Sequence, residues 1–113
     1  MSGRTSRTKG ASSERELAAA IREHGFNCNR MGRNGRTAED LDHDVPGVWF
    51  EAKRRETLAI PAWLRQAEAD APADRVPVVA FRQSRQPWRV VLPLAEFLRL
   101  KQIERDGLNP ADI

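Results

Sequence analysis

Cysteine is almost absent from this chain of 113 residues: Cys28 is the only one, so no disulfide can form within the chain. The absence of disulfides fits a reducing compartment, and we expect a cytoplasmic protein. The two histidines are scattered, which argues against a structural zinc site. Long apolar runs are missing too: no stretch approaches the ~20 residues of a membrane-spanning helix, and residues 1–13 lack the apolar segment of a signal peptide. We therefore expect no association with a membrane.

Positive charge is missing from one stretch of an otherwise basic protein, whose net charge is +3. No Lys or Arg occurs between Arg36 and Lys53, although residues 1–36 hold eight basic side chains against three acidic ones. Carboxylates repel one another, so a fold that gathers them usually binds a cation. Five of them lie in this stretch: Glu39, Asp40, Asp42, Asp44 and Glu51.

Basic residues flank the acidic stretch on both sides, since Arg82, Arg85 and Arg89 form a second basic group without an acidic neighbour between them. Basic flanks around an acidic centre fit a polyanion that is held by its phosphates over a metal site. An arginine-rich surface that only keeps the protein soluble would give the same charge pattern. Charge alone therefore leaves nucleic-acid binding and simple solvation as alternatives.

Hydrophobic periodicity and turn residues predict a small α/β domain, with helices packed against a mixed central β-sheet. Residues 1–12 are polar and basic, which predicts a flexible tail, and residues 13–113 form the single domain. Ser13-x-x-Glu16 is a capping box that predicts the start of the first helix. The predicted order is α-β-β-β-α-β-β-α, with helices at 13–24, 61–70 and 94–106, strands at 26–30, 76–81 and 88–92, and a β-hairpin at about 40–54.

The hairpin determines which face carries the acidic side chains. Residues 48–53 alternate, so Glu51 and Lys53 lie on the face opposite to the apolar residues. With Pro46-Gly47 as the turn, Asp42 faces Glu51 and Asp40 faces Lys53, and Asp44 shares their face. Proline fits the twist of a two-residue hairpin loop poorly, and a bulge there would shift the register. The choice among Asp40, Asp42 and Asp44 therefore stays open.

Several short segments occur in a characteristic order along the chain. They are Lys9-Gly10, Glu14-Arg15-Glu16-Leu17, Gly25-Phe26, Arg30, the Asp that enters the hairpin, Glu51-Ala52-Lys53, and Gln66 on the following helix. In this order they resemble the PD-(D/E)XK nucleases and, within them, the archaeal and phage Holliday junction resolvases. The resemblance extends from Lys9 to about Leu98 and departs from the family at Glu39-Asp40, where the family has Pro-Asp. It implies a restriction-endonuclease-like fold.

The resemblance also implies an active site. Asp40 and Glu51 would hold a divalent metal, Glu14 would complete the acidic cluster from the first helix, and Lys53 would lie beside the attacked phosphate. Gln66 matches a glutamine that the family often carries on the helix after the catalytic strand. Hard carboxylate oxygens suit Mg²⁺ or Mn²⁺, and such an ion lowers the pKa of a bound water and neutralises the leaving oxygen. A solvated Glu-Lys pair on a strand is the alternative for Glu51 and Lys53.

DNA is the expected substrate, in the form of a branched four-way junction. Resolvases of this kind cut two strands symmetrically, so the resemblance also implies a homodimer. The alternatives are a nuclease of the same fold that acts on flaps, nicks or duplex ends, and a DNA-binding module that does not cut. The residues that we expect to contact nucleic acid are Lys9, Arg15, Arg30, Arg33, Arg36 and Arg54.

Overall fold

The computed structural model describes residues 3–30 and 39–107, with side chains from Ser12 onward. The predicted order of elements is confirmed, and the last helix has the predicted bounds. It ends at Gly107, whose left-handed conformation (φ 70°) lets its N–H donate to the carbonyl of Ile103 at 2.7 Å. The elements are α1 (Gly3–Glu23), β1 (Cys28–Arg30), β2 (Leu41–His43), β3 (Val48–Arg54), α2 (Ile60–Asp70), β4 (Val76–Arg82), β5 (Arg89–Val91) and α3 (Leu94–Asp106).

A mixed three-stranded sheet lies between two helices. β3 pairs with β4 in parallel, and β4 pairs with β5 antiparallel. On one face, Leu17 of α1 packs into a core cluster that contains Phe50 of β3. On the other face, Trp63 of α2 packs into a second cluster with Phe81 of β4. The predicted alternation of β3 is confirmed, because Phe50 and its alternate neighbours face α1 and the residues between them face α2.

The predicted start of the first helix is wrong. α1 begins at Gly3, so the backbone of the predicted tail is helical from that residue onward. Ser13 lies inside the helix and is 3% exposed, so it does not cap the helix N-terminus. Glu16 binds Arg54 and Arg82 instead of closing a capping box. The flexibility of residues 1–12 stays a prediction.

The predicted hairpin is also wrong. Within the described residues β2 pairs antiparallel with β1, so Asp42 lies opposite Asn29 and not Glu51. Two backbone N–H groups at the edge of β3 bind side chains instead of a strand: Phe50 N donates to Glu39 at 2.8 Å, and Ala52 N donates to Asp40 at 2.7 Å. Since these carboxylates occupy the donors that a paired strand would use, β2 is free to join β1.

None of the helices in residues 3–30 and 39–107 is long and apolar enough to cross a membrane.

Candidate active site

Glu51 and Lys53 lie on the face of β3 that is turned toward α2. Glu51 is 2% exposed and accepts a hydrogen bond from the indole Nε1 of Trp49 at 3.4 Å. Lys53 is half-buried, and its Nζ donates to Oε1 of Gln66 on α2 at 3.1 Å. The structure thus brings three of the sequence-predicted residues to one side of the sheet, with a buried carboxylate beside an accessible ammonium.

Asp40 lies at the open edge of β3, just before β2 begins. Its Oδ2 accepts the 2.7 Å hydrogen bond from Ala52 N, which leaves Oδ1 available for another partner. Ala52 stands between Glu51 and Lys53 in the chain, so this bond ties Asp40 to the middle of the motif. The other two acidic candidates have different surroundings: Asp42 is exposed, and Asp44 binds the backbone N and Nδ2 of Asn27 at 2.8 and 2.7 Å.

Glu14 reaches the same region from α1. It is half-buried, and its Oε2 accepts a hydrogen bond from Arg30 Nε at 3.0 Å. Burial and the charge of Asp40 raise the pKa of Glu14, against the opposing effect of Arg30. The charge effect of Asp40 means that the two carboxyl groups are close enough to interact electrostatically. Arg30 therefore orients a carboxylate in this structure, whereas we had expected it to contact nucleic acid.

Asp70, the last residue of α2, was not predicted. Its side chain forms a hydrogen bond with Glu51, and its negative charge acts on both Glu51 and Asp40. An acidic residue at the C-terminal end of a helix is electrostatically unfavourable, because the helix dipole is negative there. The sequence did carry a signal for it: Asp70 lies four residues after Gln66, and residues at this spacing share one face of a helix.

The gathered carboxylates change one another's protonation. Burial is the largest cause that raises the pKa of Glu51 to about 8, followed by the charge of Asp40, while the Trp49 hydrogen bond acts in the opposite direction. Asp40 also has a raised pKa, caused mainly by burial and opposed by the Ala52 hydrogen bond and by Lys53. A proton on Glu51 at neutral pH relieves the repulsion, and a cation between the carboxylates would relieve it in the same way.

The donor set fits a hard divalent cation, because every candidate ligand in this cluster is a carboxylate oxygen. The described residues do not form a ready group of three or more His, Cys, Asp or Glu side chains that could hold a metal ion. The surroundings of Glu51 favour a cation here: burial is the largest cause of its raised pKa, and the negative charge of Asp40 adds to it. Asp40 and Glu51 have the best position to hold the cation, with Glu14 as a third candidate.

Two of the remaining predicted nucleic-acid contacts, Arg15 and Arg54, have side chains that the structure describes. Arg54 forms an ion pair with Glu16 at 3.4 Å, and Arg15 is exposed on α1. Lys9 lies on α1, at a position whose side chain is outside the described part of the chain. Arg33 and Arg36 also lie outside the described residues.

Comparison with known proteins supports the fold and identifies the family. The fold is similar to that of Archaeoglobus fulgidus Hjc, a Holliday junction resolvase from an archaeal hyperthermophile, with a TM-score of 0.53 and 22% sequence identity. The similarity covers 74% of this chain and 72% of that chain, and it confirms the predicted restriction-endonuclease-like fold. Residues 5–107 match the family described as "Phage putative PDDEXK endonuclease", so the chain belongs to this family of endonucleases, as the sequence resemblance predicted. No curated protein has a sequence that matches the chain significantly.

Proposed function

We propose that this protein is a divalent-metal-dependent DNA endonuclease that resolves four-way DNA junctions. The observation that carries the proposal is the pair Glu51 and Lys53, two residues apart on one face of β3, with Asp40 bonded to the backbone between them. A buried carboxylate pair beside a lysine supplies what phosphodiester hydrolysis requires: cation ligands, and a positive group for the phosphate. The family supports an endonuclease, and the similarity of the fold to that of a Holliday junction resolvase supports junctions as the substrate.

Asp40 and Glu51 would hold Mg²⁺ or Mn²⁺, with Glu14 as a further ligand. The bound ion would supply an activated water at neutral pH and would screen the charge of the phosphate. Glu51 must lose its proton to become a ligand, and the cation makes this loss favourable because it replaces the proton as the source of positive charge. Asp70 keeps the local potential negative, so it favours cation binding in the same region.

Lys53 would bind the attacked phosphate. One of its three N–H groups is donated to Gln66, which fixes the ammonium over the face that carries Glu51. The other two N–H groups remain for phosphate oxygens, whose negative charge increases in the transition state. Gln66 is thus a positioning residue for Lys53.

A homodimer is part of the proposal, because a resolvase makes two symmetric cuts. The support for it is an exposed apolar surface on β5 and α3, which two copies of the chain could bury against each other. Its residues are Val90, Leu94, Phe97 and Leu98, between 46% and 72% exposed.

The test is cleavage of an end-labelled four-way junction, beside linear duplex, flap and single strand, with Mg²⁺ or with EDTA. Glu51→Gln and Lys53→Ala are each expected to reduce cleavage by at least about 100-fold, since each removes a group that acts on the transition state. Asp40→Asn is expected to do the same. Asp42→Asn is the matched control: it removes an exposed carboxylate two residues away and should leave cleavage unchanged.

Paired cuts in the junction that require metal, and that disappear in the three site variants, would establish the proposed activity. Metal-dependent cutting of flaps or duplex ends, without cutting of junctions, would refute the resolvase assignment but would still support a nuclease function. Loss of activity in Asp42→Asn, with Asp40→Asn active, would show that the acidic ligand has been misassigned.

A further inference from the structure

The turn between β4 and β5 holds an arginine in an unfavourable backbone conformation. Within residues 3–30 and 39–107, Arg85 is the only residue other than glycine with a positive φ, at 64°. A Cβ-bearing residue is strained there, and glycine or asparagine would be the usual choice. Strain of this kind persists where the surroundings enforce it, and it occurs most often at functional sites.

Hydrogen bonds within the turn and to the segment after β3 hold the turn in place. Gln86 N donates to Gln83 O at 3.1 Å, and Arg82 Nε donates to Gln86 O at 2.8 Å. Three bonds reach the segment after β3: Gln83 Nε2 donates to the Glu56 carbonyl at 2.8 Å, and Ser84 donates to Glu56 Oε1 from its backbone N at 2.9 Å and from its Oγ. The exposed Arg85 side chain therefore extends from a turn whose backbone is held by hydrogen bonds to the segment after β3, the strand that carries Glu51 and Lys53.

The turn lies at the same end of the sheet as Lys53. β3 and β4 are parallel, so their C-terminal ends are adjacent, and Arg55 N donates to Arg82 O at 3.2 Å. Lys53 pairs with Phe81, and Phe81 pairs with Arg89, which puts Lys53 and Arg89 in one row on one face of the sheet. Strands are about 4.8 Å apart, so the backbones of these two residues are about 10 Å apart.

The positive charge at this end of the sheet is only partly neutralised, by Glu16 and by Glu56, whose carboxylate binds Ser84 in the turn. Arg54 and Arg82 share Glu16 as an acidic partner on the opposite face. Arg85, by contrast, has no ion pair within the described part of the chain, and Arg89 binds only the neutral side-chain amide of Gln86, at 3.3 Å. Guanidinium groups that are exposed, held in position and without an acidic partner fit the phosphates of a nucleic acid.

We propose that Arg85 and Arg89 bind backbone phosphates of the DNA strand whose scissile phosphate lies at Lys53. Lys53 and Arg89 lie in one row only two strand spacings apart, so neighbouring phosphates of one strand can reach both side chains. Such contacts fix the register of the strand over the carboxylates and carry no sequence preference. This inference rests on the proposed nuclease function, because it uses Lys53 to locate the scissile phosphate.

The test is the salt dependence of DNA binding in EDTA, where the strand is not cut. We would measure the affinity for a labelled duplex and for a labelled four-way junction between about 50 and 200 mM salt, a range over which phosphate contacts change affinity strongly. The proteins compared are the wild type, Arg85→Gly, Arg85→Lys and Arg89→Ala. Loss of one phosphate contact lowers the slope of log K against log salt by about 0.9, which amounts to a five- to tenfold weaker affinity at about 0.1 M. We expect this change for Arg85→Gly and Arg89→Ala, and near wild-type affinity for Arg85→Lys.

Arg85→Gly also separates binding from folding. Glycine relieves the positive-φ strain, so the melting temperature of this variant should equal or exceed that of the wild type, although its affinity for DNA falls. Arg105→Ala, at the end of α3, is the control for the loss of one surface arginine, and its salt slope should match that of the wild type.

This inference would be overturned if Arg85→Gly and Arg89→Ala bound DNA with the affinity and salt dependence of the wild type. If both variants also cut DNA normally, the proposed nuclease function would remain supported. An equal loss in Arg105→Ala would also overturn the inference, because the effect would then report only net charge. A wild-type protein that neither binds nor cuts DNA would refute both proposals.

Discussion

The carboxyl group of Glu51 is buried, and it forms no ion pair among residues 3–30 and 39–107. It accepts a hydrogen bond from the indole of Trp49, and the negative charges of Asp40 and Asp70 act on it. Burial without a cation disfavours the charged form, which explains why the pKa of Glu51 is raised to about 8. A pKa of about 8 favours the protonated form of Glu51 at neutral pH.

This protonation predicts an unusual dependence of stability on pH. In the unfolded chain Glu51 has an ordinary pKa near 4.5, so between that pH and about 8 the folded state binds one proton more than the unfolded state. The free energy of unfolding should therefore fall as pH rises through this window, and Glu51 alone contributes at most about 1.4 kcal/mol per pH unit. The raised pKa values of Asp40 and Glu14 act in the same direction. Urea denaturation in EDTA between about pH 5 and 8.5 measures the trend.

Glu51→Gln tests the cause, because an amide resembles the protonated acid and does not titrate. This variant should lose most of the pH dependence and exceed the wild type in stability at the alkaline end. Asp42→Asn, which removes an exposed carboxylate in the same part of the chain, should keep the wild-type slope. Equal slopes in the wild type and Glu51→Gln would show that Glu51 is ionised in the folded protein.

At the scale of elements, the edge of β3 explains the position of Asp40. Glu39 is 6% exposed, and its Oε2 accepts hydrogen bonds from Phe50 N at 2.8 Å and from His43 Nε2 at 2.6 Å. Since Val45 N donates to Nδ1 of His43, the ring proton belongs on Nε2, which makes His43 the donor to Glu39. Arg75 forms an ion pair with the other oxygen of Glu39 at 3.0 Å. This network fixes the residue immediately before Asp40.

Removal of Glu39 should therefore destabilise the fold and disturb the site. Glu39→Ala leaves buried donors of Phe50 and His43 without a partner and should lower the free energy of unfolding by about 3 kcal/mol. Glu39→Gln keeps an acceptor for Phe50 N and should cost less, about 1 kcal/mol. Urea denaturation near pH 7 provides the values, and Asp42→Ala, at an exposed position, should change stability by no more than about 0.5 kcal/mol. A Glu39→Ala protein as stable as this control would contradict the proposed role of the network.

The same edge shows how far the sequence could predict the structure. The alternation of apolar and polar residues over 48–53 identified β3 and its two faces, because successive side chains of a strand point to opposite faces of the sheet. It could not identify the partner of β2, since that choice depends on the Glu39 and Asp40 side chains, which occupy the N–H groups of β3.

The start of α1 was missed for a related reason: Ser13-x-x-Glu16 has the pattern of a cap, but tertiary contacts of Glu16 account for it equally well. Asp70 was missed although it lies four residues after Gln66, because that spacing indicates a shared helix face and not which part of the sheet the face meets.

At the scale of the whole molecule, α3 is less buried than an amphipathic helix in a monomer would be. No residue of α3 is fully buried, and Leu94 is 72% exposed. Val90 on β5 continues this apolar surface at 58% exposure. Full burial of one leucine contributes about 1.5–3 kcal/mol, so burial of these residues from two copies would favour their association.

We expect the wild-type protein to sediment as a dimer at micromolar concentration, and Leu94→Glu to sediment as a monomer. A charge in the centre of an apolar interface is costly to bury, while at this exposed position it should leave the folded monomer intact. Leu58→Glu is the control, because Leu58 is also partly exposed (38%) and lies outside the surface of β5 and α3. The monomeric variant should cut junctions in one strand at a time, since paired cuts need two sites related by symmetry. A wild-type protein that is monomeric, or a Leu94→Glu protein that stays dimeric, would exclude this surface as the interface.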